Sequence, residues 1–324
     1  MSSGDFLSHI EQDSETVNRY LRENLTSHVN LVSEVASHIL LSGGKRLRPL
    51  LFVLSSRLCG YEGKKEHYFS TVFEYLHAAT LLHDDVVDNA QLRRGHQTAN
   101  VLWNNSAAVL VGDFLYSKSF SLAVEMGQLG ILDVLSATTN RMAEGMVLEL
   151  MHTYNLDITE QEYMEVIISK TAVLMAAACR IGGMLGSSTH QEQEALKDFG
   201  LDLGIAFQMV DDTLDYTLSR EQFGKPVGKD LEEGKMTLPL IHALNKSIPS
   251  QKTLLKELVG RGSYQPENFP EVLTLVQECG GIEATLQKAQ HYVDKAVASL
   301  DIFPDSEYKK LMLDLADFVV SRKL

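Results

Sequence analysis

Two short runs of aspartate carry the most legible chemistry in this chain. Asp84-Asp85-Val86-Val87-Asp88 is repeated later as Asp211-Asp212-Thr213-Leu214-Asp215. On an α-helix, which advances about 100° per residue, the outer two aspartates of each run fall about 40° apart and the inner one about 60° further round. Three carboxylates then crowd one face within little more than a turn and repel one another unless something neutralises them. A single acidic cluster is ordinarily a solvated face. Here both copies have apolar surroundings, Ala78 to Leu82 with Val86-Val87 and Ile205 to Val210 with Leu214, so both helices should be partly buried and the aspartates should need partners. Clustered carboxylates without thiolates or paired imidazoles suit hard cations, and Mg²⁺ in particular keeps waters and bridges to phosphate. Two facing triads therefore predict a Mg²⁺-held phosphate group between two helices.

Cations accompany both runs. Arg93-Arg94-Gly95 follows the first, and Lys225, Lys229 and Lys235 follow the second, in and directly after the Gly-rich stretch Phe223 to Gly234. Upstream, Gly43-Gly44-Lys45-Arg46-Leu47-Arg48-Pro49 places three cations at an expected helix start, where backbone N–H groups would also face an anion. The GxxxxGK[ST] spacing of a P-loop is absent. Helical phase adds His77, about 20° from Asp84, and Gln208, about 60° from Asp211. Lys170-Thr171 interrupts the apolar run Val166 to Cys179, and a lysine there needs either an exit to solvent or an anion. Each basic run alone reads as solvated surface, and His77 alone as a satisfied core histidine; placement beside the acidic runs singles them out.

The elements that must position these residues are helices. The chain has 324 residues with only 7 prolines, and Leu, Ala, Glu, Met and Lys dominate between local breakers. Val72, Leu76, Ala79, Leu82 and Val86 recur at spacings of three and four, and similar spacing runs through Leu132 to Leu150, Tyr163 to Arg180, Ala195 to Asp215 and Ile282 to Leu300. No comparable stretch alternates with period two, so the fold class is all-α. Without a long linker or low-complexity tract, residues 1–324 read as a single domain, with 1–30 as an N-terminal helix or extension. A net charge of -14 disfavours nucleic acid and anionic membrane surfaces. Cys59, Cys179 and Cys279 are too scattered for a disulfide framework or a thiolate zinc site and read as core residues in a reducing cytosol. The start lacks a signal-peptide pattern, and the longest apolar stretch, Ala172 to Cys179, falls short of the ~18 residues that span a bilayer. The terminal Arg322-Lys323-Leu324 only loosely echoes a peroxisomal address. A cytoplasmic protein without stable membrane insertion is expected.

From about Leu31 to the C-terminus the chain resembles the trans-isoprenyl diphosphate synthases, the polyprenyl synthetase family. The resemblance rests on Gly43 to Pro49, His83 to Thr98, Lys170-Thr171, Gln208 to Asp215, and Gly224-Lys225-Pro226 through Lys235-Met236-Thr237. The run His77 to Asp85 is most similar to bacterial long-chain members of the octaprenyl or heptaprenyl type. The resemblance implies ten or more helices around a central cavity, the isoprenoid synthase type, and a homodimer. It also implies roles. Asp84, Asp85, Asp88 and Asp211, helped by Asp212 and Asp215, would hold about three Mg²⁺ ions on the diphosphate of an allylic substrate such as farnesyl or geranyl diphosphate. Arg93, Lys170, Gln208, Lys225 and Lys235 would contact that diphosphate, with Thr171 beside Lys170, while Lys45, Arg48, His77 and Arg94 would bind isopentenyl diphosphate. The implied reaction is head-to-tail 1'-4 condensation. Diphosphate leaves, the isopentenyl double bond attacks the allylic cation, and a proton is lost. Catalysis would fall to the six aspartates with Lys170 and Lys225.

In short-chain relatives bulky aromatics at the fourth and fifth positions before the first aspartate block the product tunnel. Here those positions are Thr80 and Ala79, which leave it open and predict a long product of about C40, destined for quinone side chains. Phe114, Phe120, Met142 and Met146 are candidates for a deeper floor. The alternatives are a short-chain farnesyl or geranylgeranyl diphosphate synthase, or a non-catalytic subunit of a heteromeric synthase. Less favoured are an HD-type phosphohydrolase, suggested by His83-Asp84 with His77, and a terpene cyclase, whose second motif would depart from Asp211-Asp212-xx-Asp215.

Overall fold

The computed structural model describes residues 3–217 and 228–321 of the chain, which fall into two compact units. The first draws on residues 1–137, 174–197 and 302–314, the second on 138–173, 198–301 and 315–324. Lys225 and the terminal Arg322, Lys323 and Leu324 lie outside the described residues.

The first unit contains α1 (Ser3–Asn24), α2 (Asn30–Leu41), α3 (Leu47–Leu58), α4 (Glu66–Val87), a hairpin of β1 (Leu92–Arg93) and β2 (His96–Gln97), α5 (Ala99–Trp103) and α6 (Asn105–Glu125). It also takes the start of α7 (Leu129–His152), nearly all of α9 (Val173–Leu185), and the first turns of α10 (His190–Thr217) and α16 (Glu307–Ser321). Helix α4 is its axis, packed by α1, α2, α3, α5 and α6. The spacing of apolar residues predicts one buried stripe, yet Val72, Phe73, Tyr75, Leu76 and Leu82 are at most 1% exposed, and Ser70, Thr71 and Glu74 are buried with them. With neighbours on most sides, this helix keeps no wholly exposed face along its middle, and its last turn, with Val87 54% exposed, meets water. Each fully buried large apolar side chain contributes about 1.5–3 kcal/mol, so these residues hold α4 firmly in the unit.

Two charged groups in this core are matched by partners. Arg46, the residue before α3, has a left-handed backbone (φ 50°) that turns its side chain inward. Its guanidinium meets Glu74 of α4, the Leu40 carbonyl, and Asn18 Oδ1 at 2.7 Å. On the other side of α3, Arg57 donates to Asp13 (3.0 Å) and Glu66 (3.2 Å), and His67 lies 2.7 Å from Asp13. Burial opposes ionisation of Asp13, but the bond to His67 and the Arg57 charge outweigh it and hold the carboxyl below its ordinary range.

The second unit contains the rest of α7, α8 (Glu160–Ile167), a π-helical turn (Ile168–Ala172), the rest of α10, α11 (Lys229–Glu232), α12 (Leu238–Lys246), α13 (Pro249–Val259), a 3₁₀ turn (Pro266–Asn268), α14 (Phe269–Glu278), α15 (Gly281–Ser299) and the end of α16. Helix α8 opens with a capping box in which Thr159 and Glu162 satisfy each other's backbone donors. Helices α12, α14 and α15 pack together around Leu240, Val276, Ala289 and Val293.

The expected helices are present, and the only strands among the described residues are β1 and β2. One expectation needs correction. Only Cys179 is buried; Cys59 and Cys279 are half-buried. Two helical runs, Asn105–Glu125 and Glu160–Leu185, are long and apolar enough to cross a membrane by length and composition, a property that the longest uninterrupted apolar stretch does not reveal. The second is 78% buried, as core helices are, and the first 44%.

Removing Glu74 (Glu74→Ala) strands a buried guanidinium and should destabilise the protein by about 3–5 kcal/mol, whereas Glu74→Leu with Arg46→Met should cost far less, as denaturant unfolding would show. The depressed Asp13 carboxyl contributes stability that is complete above its unfolded pKa of about 4 and lost as pH falls below it. The stability difference between wild type and Asp13→Asn should accordingly shrink as pH falls from about 5 towards 2.

Candidate active site

In the first unit α4 delivers the first acidic run at its C-terminal end, with Asp88 as the cap residue, its N–H bonded to the Asp84 carbonyl at 2.8 Å. This end of a helix dipole disfavours negative charge, so the carboxylates need cations. Asp85, 1% exposed, receives Arg93 Nε at 2.9 Å and a second guanidinium nitrogen at 2.8 Å, both on Oδ1. Its Oδ2 is buried without a hydrogen-bond partner. Asp84 and Asp88 are half-exposed on the same helix face.

Arg93 reaches Asp85 because the chain reverses in the hairpin, where Arg93 pairs with His96 across a two-residue turn, Arg94-Gly95, with positive φ at both positions (51° and 78°). That is the turn whose twist matches flanking strands. Arg94 in turn donates to the Gly43 carbonyl and lies so close to Gly44 that a side chain there would meet its guanidinium at 3.1 Å. The loop Gly43 to Arg46 and the hairpin are thereby joined. Of the three cations expected to face an anion from this loop, Arg46 turns into the core, Lys45 is exposed and Arg48 half-buried. His77 lies in the field of Arg48, Arg94, Arg93 and Arg46; burial and those four charges push its pKa well below the ordinary range, so the imidazole is neutral. Guanidinium groups around a neutral imidazole are what an anion site requires.

His83 does not join the aspartates. Its ring lies against Gly112 of α6, where an added Cβ would come within 2.3 Å, and Nε2 is 3.2 Å from the Val109 carbonyl. With His77 among arginines and His83 spent on packing, the histidine ligands of an HD-type hydrolase are not assembled. Ala79 is buried, and Thr80 is half-buried with its hydroxyl bonded to the His77 carbonyl (2.8 Å). Phe114 and Phe120 of α6 are half-buried, as is Met146 of the second unit, whereas Met142 there is buried.

In the second unit Lys170 and Thr171 sit on the π turn, pressed between Gly145 of α7 and Gly204 of α10, where a Cβ would come within 2.8 Å of Lys170 N and 2.6 Å of Ala172 Cα. The lysine takes the anion its apolar setting demands, since Nζ donates to Glu149. Thr171 donates to Gln208 Oε1 (2.9 Å), Gln208 donates to Asp212 Oδ1 (2.7 Å), and Tyr163 donates to Asp212 Oδ2 (2.6 Å). Burial raises the Asp212 pKa to about 7 against the help of those two donors, with Asp211 and Glu149 adding to the rise. Asp215 accepts from the backbone N–H of Lys229 (3.2 Å) and Asp230 (3.0 Å), the first residues of α11, leaving Asp211 as the exposed member of the run. Lys229 and Lys235 both pair with Glu233, at 3.0 and 2.6 Å. The sequence reading missed Glu149, Tyr163 and Glu233. An acidic residue inside the apolar run Met146 to Met151 was the available signal for Glu149; nothing local marks the other two.

Among the described residues no three His, Cys, Asp or Glu side chains group closely enough to hold an ion by themselves. Mg²⁺ does not require such a cage, since one or two carboxylates with water and substrate phosphate suffice. The all-oxygen donor set and the partnerless Asp85 Oδ2 fit such an ion.

A model of the polyprenyl synthetase family matches residues 29–276. The chain is 44% identical to octaprenyl diphosphate synthase of Escherichia coli (strain K12) over 311 residues, 96% of each chain. Among solved structures it is similar to a polyprenyl synthase from Caulobacter crescentus CB15, complexed with calcium and isoprenyl diphosphate (TM-score 0.93, 40% identity, 98% of this chain and 97% of that one). A decaprenyl diphosphate synthase from Rhodobacter capsulatus gives a TM-score of 0.91 at 39% identity and 98% coverage of both chains. The fold is the all-α isoprenoid synthase fold. By full-length likeness in sequence and in structure, the chain belongs to the polyprenyl synthetase family of trans-prenyltransferases.

Proposed function

We propose that this prenyltransferase condenses isopentenyl diphosphate head to tail onto an allylic diphosphate and releases a long all-trans polyprenyl diphosphate of about C40, through a channel left open by small residues. The observation that carries the reading is the first-unit site, where a cationic pocket around neutral His77 is tied through Arg93 to a buried aspartate that keeps one oxygen open.

Asp84, Asp85, Asp88 and Asp211 would hold divalent ions, Mg²⁺ by the resemblance, which would neutralise the leaving diphosphate as its C–O bond ionises. Arg93, Lys170, Gln208, Lys225 and Lys235 bind that same group. Arg48 and Arg94, with Lys45 from its exposed loop position, hold the isopentenyl diphosphate, and His77, uncharged, contributes hydrogen bonding without adding charge. Asp212 and Asp215 act indirectly. The first fixes the Gln208 amide, and through it Thr171; the second anchors the start of α11. No nucleophilic side chain is required, since the apolar walls shield the cation from water.

Small Ala79 and Thr80 support the long product over a farnesyl or geranylgeranyl one. Retention of both acidic runs and all matching cations supports a catalytic chain over a silent subunit. The enzyme is cytoplasmic and works as a homodimer. The support for association is α6, which exposes Leu110 (66%) and Val124 (61%) together with Val109 and Tyr116.

Incubation with labelled isopentenyl diphosphate, farnesyl diphosphate and Mg²⁺ should yield a ladder ending near about C40 after dephosphorylation, and chelator should abolish it. Asp84→Ala or Asp211→Ala should lower turnover at least about a thousandfold with the fold retained; a variant within about tenfold of wild type would overturn the metal assignment. Ala79→Phe or Thr80→Phe should shorten the product, and an unchanged chain length would place the floor elsewhere.

A further inference from the structure

Tyr154 follows the end of α7 with φ +60°, a left-handed conformation that a bulky side chain adopts only when its surroundings hold it there. A residue in this position commonly turns its N–H back to the helix it has just left. Tyr154 instead donates to the Gly234 carbonyl at 2.8 Å, and its hydroxyl donates to the Glu232 carbonyl at 3.2 Å. Its ring lies on Gly234, so close that a Cβ there would fall 2.5–2.6 Å from three ring carbons. Gly234 itself has φ +75°. One side chain and its own backbone thus grip the end of α11 and the turn that follows it at three points. The next residue is Lys235, half-buried, whose N–H bonds the Asp230 carbonyl at 2.7 Å and whose Nζ meets Glu233.

We infer that Tyr154 is a positioning residue for Lys235: by clamping Gly234 it fixes where that ammonium meets the allylic diphosphate. The inference rests on the role proposed above for Lys235. A clamp of this kind acts on the binding of one substrate, whereas a purely structural residue would alter stability or weaken both substrates alike.

The test uses the full-length enzyme and steady-state kinetics with each diphosphate varied in turn. Tyr154→Gly removes the ring while relaxing the strained φ, so folding is not at risk, and the melting temperature serves as the check. Its KM for the allylic diphosphate should rise about tenfold with KM for isopentenyl diphosphate within about twofold, and Tyr154→Phe, which keeps the ring on Gly234, should stay within about threefold of wild type. Lys235→Ala should raise the same KM, and adding Tyr154→Gly to it should change little more, because both act through one contact. Equal rises in both KM values, an unchanged allylic KM in Tyr154→Gly, or additive losses in the double variant would overturn the clamp while leaving the role of Lys235 intact. An unchanged allylic KM in Lys235→Ala would overturn that role and the inference with it.

Discussion

Asp85 sits out of water at the last turn of a helix whose other buried side chains are mostly apolar, and a carboxylate there must be met by positive charge. The end of the helix dipole makes the demand stronger. Much of the first unit follows from it. Arg93 can answer only if the chain doubles back at once, hence the tight hairpin with two positive φ values. The turn then brings Arg94 onto the Gly43 carbonyl, and the loop it touches is locked from beneath by Arg46 on Glu74. Guanidinium groups gathered for these reasons surround His77 and, with burial, keep it neutral. One buried carboxylate and its counter-charge link core, loop and pocket.

The second acidic run has nearly the same sequence but a different electrostatic solution. Asp212 is held by a phenol and an amide, and Asp215 by two backbone N–H groups, so the inner and last members of this run are met by hydrogen bonds where Asp85 of the first relies on a cation. The cations nearby are themselves spoken for by acids, Lys170 by Glu149 and Lys235 by Glu233. A diphosphate bound there, as proposed above, would exchange partners with these carboxylates, its higher charge favouring the exchange.

Helix existence and the acidic runs were readable from spacing, because a helical period repeated over several turns is a property of sequence alone. Direction was not. Nothing in Lys45-Arg46-Leu47-Arg48 says that Arg46 points inward; that depends on a left-handed backbone and on Glu74, a residue far along the chain. The burial of α4 well beyond a single stripe reflects how many neighbours it has, which periodicity cannot count. The hairpin lacks the Asn-Gly or Asp-Gly signal and has two-residue strands, too short to show alternation. Tyr163 and Tyr154 lie in the stretch between α7 and the π turn, and both find their roles in contacts made by residues far ahead in the chain. Both acidic runs were legible as chemistry, yet their division into exposed members and anchored ones emerged only with their partners.

The exposed apolar side chains of α6 bear on more than assembly. In a chain whose α6 is covered by a second copy, folding and association form one equilibrium, so the midpoint of unfolding rises with protein concentration. If the proposed homodimer covers this face, newly made chains, still dilute, would pass through a period when Leu110 and Val124 meet water, with neighbouring chains as the readiest cover. The abundance of the protein in its cell would then become a determinant of its half-life, and a polar substitution on α6 would act as though the cell had made less of it.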